Sequence, residues 1–153
     1  MTRGLSLKNK SDRLKIVLEV AKRNEQKALD ALAAKRRYRD QQQEQLDGLK
    51  SYYDQYMGTM KTNMQEGAMS VHSLQTYQSF VSQIDQAREH QQNTLKIAQQ
   101  EFELALKNWT SFHQKQKGMA DLIGRYRNEE EVVRDKKEQK QLEDDLTARR
   151  YQG

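Results

Sequence analysis

Residues 74–133 read LQTYQSFVSQIDQAREHQQNTLKIAQQEFELALKNWTSFHQKQKGMADLIGRYRNEEEVV. Apolar and aromatic side chains recur through this stretch at alternating steps of three and four residues. Fourteen of the eighteen ladder positions are apolar or aromatic, and Arg88, Gln91, Gln116 and Glu130 are the exceptions. A 3.5-residue repeat kept over about eight heptads predicts a coiled-coil seam and not merely an amphipathic helix.

A second ladder with the same spacing runs through the first part of the chain, from Leu14 to Met60. Ten of its fourteen positions are apolar or aromatic, and the exceptions are Glu25, Lys35, Arg39 and Gln42. Two such ladders predict two long helices, because each needs an apolar partner face.

The residues between the ladders weaken a helix and favour a turn. Gly58, Asn63 and Gly67 disfavour helix, whereas Ser70 or Ser73 is suited to cap the start of the next one. We therefore expect a single domain over residues 1–153, with one helix at about 8–61, a turn at about 62–72 and a second helix at about 73–148. The predicted fold is all-α: a long, rod-like, antiparallel two-helix coiled-coil hairpin with both chain ends at its open end.

Composition excludes several classes of protein. The chain has 153 residues with no proline and no cysteine, and only 35% of them are hydrophobic. A chain without proline can be helical nearly throughout, and one without cysteine has neither disulfides nor thiolate metal sites. The longest apolar run is four residues, far short of a membrane span. We expect a soluble, cytosolic protein.

Charge is concentrated at the start of the chain. Residues 1–39 hold twelve basic and four acidic residues, a net charge of +8, while the rest of the chain carries −3. Such an end suits nucleic acid, anionic lipid or an acidic protein surface. The run Lys35, Arg36, Arg37 and Arg39 is either a solvated face or a docking patch, and its interleaved polar residues disfavour specific nucleic-acid recognition.

Little in the sequence points to catalysis. His72, His90 and His113 lack the spacing of metal ligands. The glycines of residues 118–125 are separated by five residues, where a phosphate loop needs four, and no lysine follows them. We expect no enzyme activity, no metal and no cofactor.

Close to the predicted turn, a row of mainly apolar and aromatic residues on each helix overlaps the ladder and extends beside it. Gln45, Leu49, Tyr52 and Tyr56 share one helix face, and Phe80, Ile84, Ala87 and Gln91 share another. In an antiparallel hairpin the two rows lie near each other. They form either a strip that binds a partner or a locally wider seam.

The stretch from residue 45 to residue 92 resembles the FliJ family of the bacterial flagellar type III export apparatus. The family pattern is Gln-x3-Leu-x2-Tyr-x3-Tyr, a glycine-containing turn, Tyr-x2-Phe-[Ile/Val] and an Ala-x-x-[His/Gln] segment. The matching residues here are Gln45, Leu49, Tyr52, Tyr56, Gly67, Tyr77, Phe80, Val81, Ile84, Ala87 and His90 or Gln91. Gln91 occupies the aligned position of the family histidine, and His90 is one residue out of step.

The resemblance implies a stalk-like rod with three kinds of partner. Its open end inserts into the export ATPase hexamer and promotes ring assembly and activity. The rod also contacts the cytoplasmic region of the export-gate membrane protein, and it binds flagellar export chaperones. The chain is then a monomer in isolation that works at the cytoplasmic face of the inner membrane, at the flagellar base, and supports motility.

The resemblance also implies two sets of binding residues. Those that contact the gate are Gln45, Leu49, Tyr52, Tyr56, Phe80, Ile84, Ala87 and Gln91. Those at the open end that contact the ring are Arg13, Leu14, Lys15, Leu18, Lys22, Arg23, Arg125 and Arg127. Three alternatives stay open: the equivalent stalk of a virulence secretion system, a generic cytosolic coiled-coil scaffold, and a basic hairpin that binds nucleic acid with a steep dependence on salt.

Overall fold

The protein consists of two long helices joined by a short turn. A computed structural model describes residues 9–67 and 69–152, with α1 at Lys10–Gln65 and α2 at Val71–Gln152. The described part of the chain contains no strand. The two helices pack against each other, and the predicted all-α helical hairpin is confirmed.

The seam follows both predicted ladders. Every ladder position of α1 is buried or half-buried except Lys35, and every ladder position of α2 is buried or half-buried except Val133. The most deeply buried apolar residues are all ladder members: Ala28, Leu46, Ile84, Ala98 and Ile123. The spacing therefore identified the packed face, because only one stripe of each helix is covered by its partner.

The turn is built by one glycine and one serine. Gly67 has a positive φ of 68°, which suits the residue after a helix end, and its N–H donates to the carbonyl of Met64 at 3.2 Å. Ser70 then caps α2, since its hydroxyl accepts the N–H of Ser73 at 3.1 Å. Of the two predicted capping residues, Ser70 is the one that does so.

Both helices end later in the chain than the sequence indicated, while the predicted start of the first helix near residue 8 lies outside the described residues. α1 ends at Gln65 and not near residue 61, and α2 extends to Gln152 and not 148. A single helical glycine costs only about 1 kcal/mol, so Gly58 does not stop α1. Asn63 continues the packing, because its side-chain amide donates to the Tyr77 hydroxyl at 3.1 Å. The turn is correspondingly shorter than the predicted span of residues 62–72.

The chain divides into two compact units, and both helices pass through each of them. Unit 2 is formed by Leu29–Asn108 and contains the turn. Unit 1 combines the start of α1, as far as Ala28, with the part of α2 that begins at Trp109.

Polar residues interrupt the ladders in unit 2, and they find partners on the facing helix. Gln91 Nε2 donates to the backbone carbonyl and to the side-chain Oε1 of Gln42, at 3.0 and 2.8 Å, and both glutamines are buried. The guanidinium of Arg39 lies 4.4 Å from the centre of the Phe102 ring. Each polar interruption of this kind is satisfied only in one alignment of the two helices.

Unit 1 is joined by further cross-helix contacts, including two hydrogen-bonded pairs. At the first turn of α1, Ser11 donates its hydroxyl and its backbone N–H to the two carboxylate oxygens of Glu130, at 2.6 and 3.2 Å. Glu25 Oε1 lies 2.7 Å from His113 Nδ1, and the His113 ring stacks on Trp109. The Glu130 carboxylate thus takes the place of an N-cap for α1, supplied by the facing helix.

Beyond Glu130, α2 continues with every side chain exposed from residue 131 to residue 151. Among the described residues, neither helix has a segment of the length and hydropathy needed to cross a membrane.

Candidate functional site

Four aromatic residues form a connected cluster in unit 2. The Tyr56 and Phe80 rings stack across the two helices, with centroids 4.6 Å apart and an interplanar angle of 23°. Tyr77 packs against Tyr56 at 4.9 Å, and Tyr52 contacts both Tyr56 and Phe80 at about 6 Å. The cluster joins α1 to α2, and Tyr52 lies at its outer edge with 47% of its surface exposed.

The predicted strip residues fall into three groups by burial. Gln45, Tyr52 and Ala87 are exposed, and Leu49, Tyr56 and Phe80 are half-buried. Ile84 and Gln91 are buried in the seam. The surface that a partner could touch is therefore centred on Tyr52, with the half-buried edges of Leu49, Tyr56 and Phe80 beside it. We call these eight residues the aromatic strip.

The two buried members of the aromatic strip, Ile84 and Gln91, pack between the helices and support its exposed members. Gln91 is held by Gln42, and Ile84 fills the seam under the strip. Two buried amides that hydrogen-bond each other cost the folded state little, whereas a buried amide without its partner lowers the free energy of unfolding by about 1–3 kcal/mol. These two positions are therefore placed to fix the alignment of the helices that present the exposed residues.

Two of the four residues in the basic run Lys35, Arg36, Arg37 and Arg39 are engaged by neighbouring side chains. Lys35 pairs with Glu101 at 3.1 Å, and Arg39 hydrogen-bonds Asp40 while covering Phe102. Arg36 and Arg37 are exposed on α1. Half of the run therefore serves packing, and the other half remains as surface charge.

The residues predicted for the ATPase ring all lie in unit 1. Leu14 and Leu18 are half-buried in the seam, so they pack against α2. The six basic members are exposed on the outside of the two helices: Arg13, Lys15, Lys22, Arg23, Arg125 and Arg127. We call these six residues the basic collar.

Charges of both signs surround the start of α1. A groove there is lined by Lys10, Arg13, Arg127 and Arg134 together with the three glutamates 129–131. The hydrogen bond from the Ser11 hydroxyl is the main reason that the pKa of Glu130 is lowered, and Arg127 and Arg134 add to the effect. The Glu130 carboxylate is thus held in its charged form.

Within residues 9–67 and 69–152 there is no group of three or more side chains that could hold a metal ion. His113 is engaged by Glu25, and the stretch of residues 118–125 is regular helix in α2.

Sequence reasoning missed a second exposed tyrosine on the face of the aromatic strip. Tyr38 precedes Tyr52 by two heptads and therefore shares its heptad position. That spacing was the available signal, but the residue that faces Tyr38 on α2 depends on the alignment of the helices.

The described residues form a two-helix coiled-coil hairpin that presents aromatic and basic side chains to solvent, and these features define a coiled-coil class of protein. The family profile described as Flagellar FliJ protein matches residues 9–153. The chain belongs to the FliJ family and is a component of the flagellar protein export apparatus. No curated protein and no solved structure matches this chain.

Proposed function

We propose that this chain links the export ATPase to the export gate. In this proposal the aromatic strip of unit 2 binds the cytoplasmic region of the export-gate membrane protein. The basic collar of unit 1 binds the ATPase ring and promotes its assembly and activity. The chain acts by binding and carries out no reaction, in keeping with a family of non-catalytic export components.

The observation that supports the gate contact is the exposure of Tyr52. Its ring contacts Tyr56 and Phe80, and about half of its surface faces solvent. Exposed aromatic rings on a rigid support are typical centres of protein interfaces, because they bury a large area for little loss of side-chain freedom. The stacked pair beneath supplies that support.

The ATPase contact is supported by the separation of roles within unit 1. Seam residues such as Leu14 and Leu18 hold the helices, so the basic collar is not needed for packing. Clustered positive charge attracts an acidic surface over about a Debye length and speeds its association. An acidic lining of the ring would therefore receive this end of the chain.

We also propose that the chain binds export chaperones and works at the cytoplasmic face of the flagellar base, and family membership is the support for both. A pull-down of purified export chaperones by the tagged chain tests the first. Failure to retain any of them at low salt would remove chaperones from the list of partners.

The direct test of the ATPase contact is the rate of ATP hydrolysis by the purified flagellar export ATPase, titrated with this protein at moderate salt. We expect stimulation together with ring formation, saturating at one copy of this chain per ring. Unchanged hydrolysis in the presence of the folded, helical protein would contradict the proposal and favour a generic scaffold. Stimulation of a virulence-system ATPase but not of the flagellar one would favour the virulence alternative.

A further inference from the structure

A groove on unit 2 lies beyond the aromatic strip, on the side away from the turn. Its volume is about 420 Å³, and it lies between the two helices. The residues that line it are Ala34, Lys35, Tyr38, Thr94, Ile97 and Glu101. Two large apolar side chains stand exposed in it, with Tyr38 at 43% and Ile97 at 57% of their surfaces.

The groove continues the flank of the seam on which the aromatic strip lies. Tyr38 stands two heptads before Tyr52, and Thr94 stands two heptads after Phe80. Residues separated by whole heptads keep the same position relative to a coiled-coil seam. Fourteen helical residues span about 21 Å, so one partner of ordinary size reaches both places.

The aromatic strip alone is small for a specific interface. A tyrosine side chain buries about 200 Å² when fully covered, so Tyr52 offers about 100 Å². Of its seven companions, Ile84 and Gln91 are already buried and three more are half-buried. A stable interface buries about 800 Å² on each partner, and the contact must therefore extend past the strip.

Charge at the groove indicates what kind of side chain it receives. Lys35 and Glu101 neutralise each other across the two helices at 3.1 Å. Arg37 is exposed one helical turn from Ala34, on the outer side of the groove. The surface therefore combines an apolar recess with one uncompensated positive charge beside it.

We propose that the groove between Tyr38 and Ile97 is a second contact site for the partner that binds the aromatic strip. It receives an apolar side chain of that partner, and Arg37 pairs with a carboxylate next to this side chain. The inference rests on the proposed gate contact, because it assigns further binding residues to the same partner.

The test is the affinity of the full-length chain for the cytoplasmic region of the export-gate protein, measured by titration calorimetry. We expect Tyr38→Ala and Ile97→Ala each to weaken binding about tenfold, as expected for interface side chains outside the central hot spot. We expect Arg37→Glu to weaken it several-fold at low salt and by less at high salt.

Two matched controls lie on the opposite flank of α1. Arg36 is exposed beside Arg37, and Leu29 is partly exposed seven residues earlier on the same flank as Arg36. Arg36→Glu and Leu29→Ala should leave the affinity unchanged, which separates a local contact from a general effect of charge or helix stability.

The outcomes distinguish the groove from the strip. If Tyr52→Ala weakens binding but Tyr38→Ala and Ile97→Ala do not, the second site is wrong and the gate contact stands. If the wild-type chain does not bind the gate region, both proposals are wrong. If Arg36→Glu weakens binding as much as Arg37→Glu, the carboxylate partner is wrong.

Discussion

Unit 2 and unit 1 hold the same two helices together by different means. Unit 2 contains the Tyr56–Phe80 stack, the buried Gln42–Gln91 pair and the exposed Tyr52. In unit 1 the described contacts across the helices include Ser11–Glu130, Glu25–His113 and the Lys10 ammonium over the Tyr126 ring, and none of these three is made by a residue of the basic collar.

The difference predicts how each unit responds to substitution. In unit 2 the residues that join the helices also form the candidate binding surface, so some substitutions there change both stability and binding. In unit 1 the hydrogen-bonded pairs Ser11–Glu130 and Glu25–His113 contain no residue of the basic collar, so the collar can change without loss of these pairs.

The largest effect is expected at the aromatic strip. Tyr52→Ala combined with Phe80→Ala should lower the affinity for the gate region by about thirtyfold or more, as at an interface hot spot, and abolish motility. Helix content measured by circular dichroism should be retained, because the seam residues remain. The exposed tyrosine of unit 1, Tyr151, supplies a matched control, and Tyr151→Ala should leave the affinity for the gate region unchanged. Unfolding of the double variant would show that the strip is only part of the core.

The next effect concerns the buried amide pair. Gln91→Leu leaves the Gln42 side chain buried without its donor, so the free energy of unfolding should fall by about 1–3 kcal/mol. Gln42→Leu combined with Gln91→Leu removes both polar groups and should restore or exceed the wild-type stability. Urea unfolding of the three proteins measures this. Equal loss in the single and double variants would mean that the pair does not act as a unit.

A smaller effect is expected at the basic collar. Lys22→Glu combined with Arg23→Glu should reduce stimulation of the export ATPase several-fold at low salt, with the difference shrinking as salt rises. The melting temperature should stay close to that of the wild type, because surface substitutions usually change stability by less than about 0.5 kcal/mol. A salt-independent loss would indicate that the residues contribute through packing and not through charge.

Acid should loosen the start of α1. The lowered pKa of Glu130 means that its bonds to Ser11 contribute fully above the ordinary carboxyl value of 4.5 and are lost as the pH falls through the lowered value. The protection of the first-turn amides of α1 against hydrogen exchange, corrected for the intrinsic exchange rate at each pH, should therefore fall at acid pH in the wild type. In Glu130→Gln this protection should already be low at neutral pH and should change little with acidification. Identical pH profiles for the two proteins would contradict this role of Glu130.

The smallest effect on stability is expected beyond Glu130. All described side chains from residue 131 to residue 151 are exposed, so removing the residues after Arg134 should leave the melting temperature nearly unchanged. The same truncation, or removal of residues 1–12, should weaken ATPase stimulation more than gate binding. If ATPase stimulation and gate binding weakened equally, the assignment of unit 1 to the ATPase ring would be wrong.

The sequence predicted the seam because a 3.5-residue repeat leaves little freedom in which stripe is buried. It could not predict the partners of the polar ladder residues. Arg39 meets Phe102, and Gln42 meets Gln91, only because the short turn around Gly67 sets one alignment of the helices. The end of α1 was placed too early for a related reason. The helix continues past Gly58 because tertiary packing around Asn63 and Tyr77 outweighs a local preference against glycine of about 1 kcal/mol.

The candidate site was predicted in part. Helical spacing placed Gln45, Leu49, Tyr52 and Tyr56 on one face, and the structure has them there, but spacing alone did not reveal that Phe80 stacks on Tyr56. The groove between Tyr38 and Ile97 could not be found from either helix alone, because its two walls come from residues almost sixty positions apart.

The central claim is that unit 2 and unit 1 carry separate binding surfaces. The most direct measurement compares two variants: Tyr52→Ala, and the double variant that carries Lys22→Glu and Arg23→Glu. Each is tested for its affinity for the gate region and for its stimulation of the export ATPase. We predict that Tyr52→Ala loses gate binding and keeps ATPase stimulation, while the charge variant does the reverse. Loss of both activities in both variants, with the helices intact, would contradict the account.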